Sequence, residues 1–249
     1  EYDNRFFYLM MDETDIVTGR HLKKIPKAVE EICESLETKP SVVMICITCV
    51  DALLGTDMER VCRKAEERAG LPVRPCYMYA LTREGRKPPM VHVRQSLYSL
   101  LEPVKKKGNV VNLLGFFSPL IDDCELYDLL HGAGIKTIHE ISRCRDFDEY
   151  KTMSEANFNL VLHQEARAAA EDFNDRLKIP FIELRRLYQT DKIENQYRAF
   201  GSVLGVTFDT TAYQKAAEQA VENFRKVCPD ASFAVGECMN GDPFELALA

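Results

Sequence analysis

Short, almost uninterrupted apolar runs recur along this chain, each followed or preceded by a segment of helical period, and no feature constrains the fold more. The first run, Ser41-Val-Val-Met-Ile-Cys-Ile-Thr-Cys49, has strand length and no polar alternation, as expected of a parallel strand covered on both faces. Before it, Ile25, Val29, Ile32, Cys33 and Leu36 recur at helical spacing among Lys and Glu, which predicts an amphipathic helix over 21–36. After it, a helix over 57–69 stopped by Gly70 and a strand over 71–76 are expected, then a helix from Met90 ended by Pro103. The pattern repeats as a strand over 109–115, a helix over 120–131 and a strand over 135–138. It continues with a strand over 158–163, a helix over 165–177 and a strand over 179–183. Helices over 191–204 and 211–227 and a last strand over 231–235 complete the series.

Strands alternating with helices of about a dozen residues require crossover connections, which are right-handed and give parallel sheets. The expected fold class is therefore α/β, with tandem doubly wound, Rossmann-like parallel-sheet domains. The basic turn Lys105-Lys-Lys-Gly108 reads as the border between two of them. Residues 1–105 then form a first domain lacking its N-terminal part, 106–205 a second, and 206–249 a connecting helix and the start of a third. In such sheets functional groups gather just beyond the carboxyl ends of the strands.

Composition removes several function classes. The 249 residues are 46% hydrophobic and 29% charged, enough apolar material for a packed core, and the net charge of −7 disfavours nucleic acid and anionic membranes as partners. No apolar run approaches the roughly 18 residues of a membrane span, and the charged start is no signal peptide, so the expected location is the cytoplasm. The absence of an initiator Met and the final Glu245-Leu-Ala-Leu-Ala249, which reads as a helix cut off after its first turn, point to a fragment of a longer chain. Neither a Gly-x-x-x-x-Gly-Lys-Ser/Thr loop nor a Gly-x-Gly-x-x-Gly fingerprint is present, so any ATP belongs to a partner.

Nine cysteines, an odd number, are scattered through the chain without the look of a disulfide framework. A buried thiol is the default for each. Cys49 stands apart because it falls at the end of a buried strand, where nearby helix-terminal amides favour a thiolate able to ligate iron or zinc or to attack an electrophile. Cys46 precedes it by three residues, which on one strand puts the two thiols on opposite faces and argues against a common ion. Cys76 and Cys238 are the next candidates, at strand ends. The loop Thr82-Arg-Glu-Gly-Arg-Lys-Pro-Pro-Met90, with His92 and Arg94, is basic beside a helix start. It suits an anion or an acidic partner surface, and equally a solvated loop stiffened by two prolines.

Thr48-Cys49-Val-Asp-Ala-Leu-Leu-Gly55-Thr-Asp57 resembles the Thr-Cys-x-x-x-x-x-Gly-Asp-Asp segment of the nitrogenase component 1 family. The resemblance extends to Met11-Asp-Glu-Thr-Asp-Ile-Val-Thr-Gly19, Gly108-Asn-Val-Val-Asn-Leu-Leu-Gly115, Asn159-Leu-Val-Leu-His163, Ile179-Pro-Phe-Ile-Glu183 and Gly241-Asp-Pro243, in order along the chain. It implies a redox subunit that takes electrons from an ATP-hydrolysing iron-sulfur reductase and pairs with a second component 1 subunit in a homo- or hetero-oligomer. Cys49 inherits the role of iron-sulfur cluster ligand, shared with upstream cysteines or a partner chain, and Gly55 and Asp57 shape the turn that holds it. A second metal cofactor is allowed. At the position of His163 the catalytic subunit of the family carries a cysteine that binds the iron-molybdenum cofactor. An imidazole there can ligate metal or donate a proton to a substrate, or it is a hydrogen-bonded core or loop histidine. The substitution puts dinitrogen reduction on the familiar cofactor in doubt. The family also includes cofactor-assembly and tetrapyrrole-reducing members, so a non-catalytic scaffold or ligand-binding module of the same fold stands as the alternative.

Overall fold

A computed structural model describes residues 5–47, 49–78, 88–115, 117–235 and 242–248. The chain divides into two compact units, Glu1–Leu100 and Leu101–Ala249.

The first unit opens with α1 (Glu13–Val17), whose N-terminus is closed by a reciprocal capping box between Asp12 and Asp15. Helix α2 (His21–Ser35) follows, with Pro26 tolerated in its second turn. Strand β1 (Val43–Ile47) runs parallel to β2 (Val73–Tyr77) in a two-stranded sheet. Between them lie the short α3 (Cys49–Leu53) and α4 (Met58–Ala69), and α5 (Pro89–Tyr98) follows β2. Two apolar clusters hold the unit together. One joins Val29, Cys62, Ala65 and Val73, and the other joins Ile25, Ile47, Met58 and Val61, so that α2 and α4 cover one face of β1. The expectation of a strand covered on both faces does not hold for β1: Val43, Met44 and Ile45 are half-buried and Cys46 is exposed. Its apolar character reflects one packed face and the mid-strand thiol and thioether on the other.

The second unit is built on a fully parallel sheet of β3 (Lys107–Leu114), β4 (Thr137–His139), β5 (Ala156–Val161) and β6 (Phe181–Glu183), in the order β4-β3-β5-β6. Helix α6 (Glu125–Gly132) joins β3 to β4, and α7 (Phe147–Lys151) with a 3-10 turn over Thr152–Glu155 leads to β5. A 3-10 turn at Gln164–Ala166, α8 (Arg167–Asp172) and a π-helical turn over Phe173–Leu177 lead to β6. Helix α9 (Thr190–Leu204), then α10 (Thr211–Val227) and α11 (Pro243–Leu248) complete the unit. Val111, Leu113, Phe158 and Leu160 turn to one face and pack with Leu126, Leu129 and Leu130 of α6 and Tyr197 and Phe200 of α9. Each fully buried large side chain there contributes roughly 1.5–3 kcal/mol of transfer free energy. The connection from β3 to β4 runs one way along the sheet and those from β4 to β5 and from β5 to β6 run the other way, so right-handed crossovers put their helices on opposite faces, the doubly wound arrangement.

Several expectations shift in detail. Helix α6 starts at Glu125, not residue 120, because residues 120–124 are held as a loop by side-chain bonds described below. The expected helix over 165–177 is a composite that ends at Lys178, whose backbone is left-handed (φ 57°). Lys107 and Gly108, read as part of a border turn, lie in β3. Residues 231–235 form no strand; they are exposed and have no neighbouring strand to pair with among the described residues.

Candidate functional site

Cys49 is the first residue of α3 and is exposed, so it is neither on β1 with Cys46 nor a buried thiol. The turn behind it is tightly specified. The Gly55 amide donates to the Ala52 carbonyl at 3.2 Å and the Thr56 amide to the Asp51 carbonyl at 3.0 Å. Gly55 sits at φ 62°, a left-handed conformation that glycine adopts without steric cost. Asp57 caps α4, its carboxylate accepting the Arg60 amide at 3.0 Å, which also places a negative charge at a helix N-terminus. Gly55 and Asp57 thus shape the segment between α3 and α4. Sequence reasoning missed one tie: buried His21 lies with Nε2 3.5 Å from the Thr56 hydroxyl and Nδ1 3.3 Å from the Asp15 carbonyl oxygen. Asp15 is itself buried, and the ammonium of Lys24 against it holds its carboxyl below the usual carboxylate range. The segment Asp12–Gly19 and the Cys49 turn are therefore joined through His21.

Among the described residues no group of three or more His, Cys, Asp or Glu side chains converges as a metal cage. The exposed thiol of Cys49 could give an iron-sulfur cluster one soft ligand, and any others would have to come from outside the described residues.

In the second unit the strand order reverses between β3 and β5: the chain leaves β3 for β4 on one side and returns to β5 on the other. In open parallel sheets such a reversal marks the standard ligand position, at the carboxyl ends of these two strands. Both ends are firmly tied. The Leu162 amide donates to the Leu114 carbonyl at 2.8 Å, and the Leu184 amide to the Val161 carbonyl at 3.0 Å. His163 is the next residue, with its side chain 19% exposed. Its Nδ1 accepts the Glu165 amide at 3.3 Å as the cap of the Gln164–Ala166 turn, which leaves the proton of the neutral ring on Nε2. The Glu165 carboxylate lies 3.7 Å from the same Nδ1. Arg167 pairs with Glu171 at 3.2 Å and approaches Glu183, at the end of β6, at 3.6 Å. His163 therefore combines a local hydrogen-bonded role with a place at the sheet's switch point.

The loop after β3 is anchored from the end of β4. Buried Glu140 accepts the Leu120 amide at 2.9 Å, the Tyr127 hydroxyl, and Arg143 Nε at 3.0 Å. Arg143 also donates to the Leu120 carbonyl at 2.9 Å and to Asp122 at 2.6 Å. Burial and the neighbouring Glu140 push the Tyr127 hydroxyl up to about 12, so it remains a donor. The signal for this anchor was a glutamate directly after the short strand β4, the position where sheet-end chemistry is expected.

The remaining candidates fall apart. The basic loop over 82–90 lies outside the described residues up to position 87, as do Cys238, Gly241 and Thr48. Arg94 is buried and donates to the Met90 carbonyl on its own helix at 3.1 Å, and His92 meets the Tyr77 ring edge-on at 6.1 Å. Cys62 and Cys76 are buried, and burial raises both thiols, Cys62 to about 12 and Cys76 to about 11.

Comparison with known proteins follows the same lines. The chain is 27% identical over 199 residues to the nitrogenase iron-molybdenum cofactor biosynthesis protein NifE of Nostoc sp., covering 78% of this chain and 41% of that protein. Over 65 residues, 26% of this chain and 12% of the relative, it is 43% identical to the nitrogenase molybdenum-iron protein alpha chain of Methanosarcina barkeri. A solved structure described as nitrogenase Cp1 at pH 5 superposes with a TM-score of 0.60 at 20% identity, over 88% of this chain and 44% of that one, which shows a shared fold. The chain thus spans less than half the length of these relatives. Residues 2–235 match the family model described as nitrogenase component 1 type oxidoreductase, and the chain belongs to that family.

Proposed function

We propose that this chain is part of a component 1-type redox subunit in which Cys49 ligates an iron-sulfur cluster and His163 lines the pocket of a bound substrate or second metal cofactor. The observation that carries the reading is the position of His163, immediately past β5 at the reversal in strand order, with its Nδ1 committed to the Glu165 amide. A neutral imidazole so held carries its proton on Nε2 and can give it to a reduced substrate, whereas binding metal through Nε2 would move the proton to Nδ1 and break the hydrogen bond from the Glu165 amide. Gly115 brings the end of β3 close against Leu162 and His163. At the other site, the turn through Gly55 and Asp57 and the His21 tie hold Cys49 at the start of α3. A cluster bound there supplies one-electron redox chemistry and is completed by thiolates from elsewhere in the full-length protein or its partner. The remaining elements of the reading are a second component 1 subunit, an ATP-hydrolysing iron-sulfur reductase as electron donor, and a cytoplasmic location. No helix among the described residues is long and apolar enough to cross a membrane.

A second reading is favoured by the names of the relatives: several are cofactor biosynthesis proteins, so the same pocket would hold a maturing cofactor without turnover. The two readings part in one experiment. The full-length protein is purified anaerobically with its partner subunit and mixed with the reductase, ATP and dithionite. ATP-dependent oxidation of the reductase, with substrate consumed and His163→Ala lowering the rate while iron content holds, supports the redox subunit. Retention and transfer of a bound metal cofactor without electron flow supports the holding role.

A further inference from the structure

Cys46 and Cys76 are register partners on the parallel strands β1 and β2. Partners in register point to the same face of a sheet, and neighbouring strands lie about 4.8 Å apart, inside the roughly 4.4–6.8 Å between Cα atoms that a disulfide spans. As direct partners on adjacent strands, the two residues bring their thiols side by side on that face. They differ in access. Cys46 is exposed, whereas Cys76 is 5% exposed. Both are reduced here, and neither belongs to the turn that holds Cys49.

We infer that Cys46 and Cys76 form a reversible dithiol modification site, oxidised by hydrogen peroxide or a comparable two-electron oxidant to a disulfide that staples β1 to β2 just before the Cys49 turn. Access assigns the roles. The Cys46 sulfur, open to solvent, attacks one peroxide oxygen as thiolate; the O–O bond breaks, hydroxide leaves and takes up the released proton as water, and Cys46 carries a sulfenic acid. The Cys76 sulfur then attacks the Cys46 sulfur, the S–S bond forms, and the hydroxyl leaves as water with the Cys76 proton. Two thiols and one peroxide give one disulfide and two waters, with two electrons passing to the oxidant. Cys76 resolves and does not initiate, because burial raises its thiol to about 11 and keeps it protonated at neutral pH. Because one of its sulfurs faces solvent, the bridge is open to attack by a small dithiol, which returns both cysteines to thiols by exchange.

The test uses the full-length protein with its partner, treated anaerobically with stoichiometric hydrogen peroxide, quenched by iodoacetamide under denaturing conditions and digested. The expected product is a cross-linked peptide pair containing Cys46 and Cys76, 2 Da lighter than the sum of the free peptides and restored to separate peptides by dithiothreitol. In Cys76→Ser, Cys46 should instead accumulate as sulfenic acid, trapped by dimedone, with at least a tenfold rise over the parent. Cys62→Ser, which removes the nearest other buried thiol of the unit while keeping the pair, should leave the cross-link unchanged. Recovery of Cys76 fully alkylated from oxidised parent protein, or a cross-link of Cys46 to a different cysteine, would overturn the assignment.

Discussion

A Cβ placed on Gly115 would stand 3.1 Å from the Leu162 Cβ and 3.4 Å from the His163 amide nitrogen. The end of β3 and the end of β5 thus approach as closely as a residue without a side chain allows, at the place where the strand order reverses. Gly115→Ala should therefore push the Leu162–His163 backbone outward and cost about 1–3 kcal/mol, the usual range for overpacking a dense site. Thermal melts give the stability, and hydrogen exchange over residues 162–166 reports the displacement. A melt and an exchange pattern equal to the parent's would mean the contact between the two strand ends is softer than the geometry implies.

Asn112 and Asn159 form a second close pair, fully buried side by side on β3 and β5. Asn112 Nδ2 donates to Asn159 Oδ1 at 2.8 Å and to the Met153 carbonyl at 2.9 Å, while Asn112 Oδ1 and Asn159 Nδ2 have no protein partner. Replacing Asn112 alone by Val leaves the Asn159 amide stranded and should cost about 1–3 kcal/mol. The Asn112→Val/Asn159→Val double variant should recover most of that loss, since the Met153 carbonyl keeps the Ala156 amide as donor. Denaturant unfolding of the four proteins measures the coupling directly. Additive losses would show that the two amides do not act as a unit.

His139, at the end of β4, is buried, with Nε2 3.3 Å from the Thr152 hydroxyl. Burial lowers its pKa from 6.5; the carboxylates of Glu149 and Glu155 work against that shift and the Lys107 ammonium with it. The unfolded chain therefore takes up a proton near pH 6.5 that the folded chain refuses. Stability from this group is intact above pH 6.5 and declines as the pH falls below it. Melting temperatures between pH 7.5 and 5.5 should drop more steeply for the parent than for His139→Gln. Parallel curves would remove His139 from the acid sensitivity of the second unit.

Much of the fold was legible because hydrophobic period and breaker residues act locally. Asp57 and Gly70 bracket α4 as cap and left-handed stop, and Gly205 ends α9 in the same way. The failures came where tertiary bonds or missing neighbours overrode local pattern. Residues 120–124 carry helical character but are held as a loop by Glu140 and Arg143, and 231–235 has strand composition but nothing to pair with among the described residues. At the candidate sites, the position of His163 past β5 followed from the strand pattern, and the exposure of Cys49 did not, because α3 begins directly after β1. The His21–Thr56 and Gly115–His163 approaches join residues far apart in sequence, and no spacing in the chain announces them. Asn112 and Asn159 did leave a trace, as lone polar residues inside otherwise apolar runs.

The central claim is that Cys49 is a cluster ligand, and the most direct test compares the full-length protein with its Cys49→Ala variant. Both are purified anaerobically with the partner subunit and assayed for iron, acid-labile sulfide and the visible absorption band. Loss of one thiolate should lower iron and sulfide in parallel, by half or more, and weaken or shift the band, while the far-ultraviolet circular dichroism stays that of the parent. Iron, sulfide and spectrum equal to the parent's would contradict the assignment.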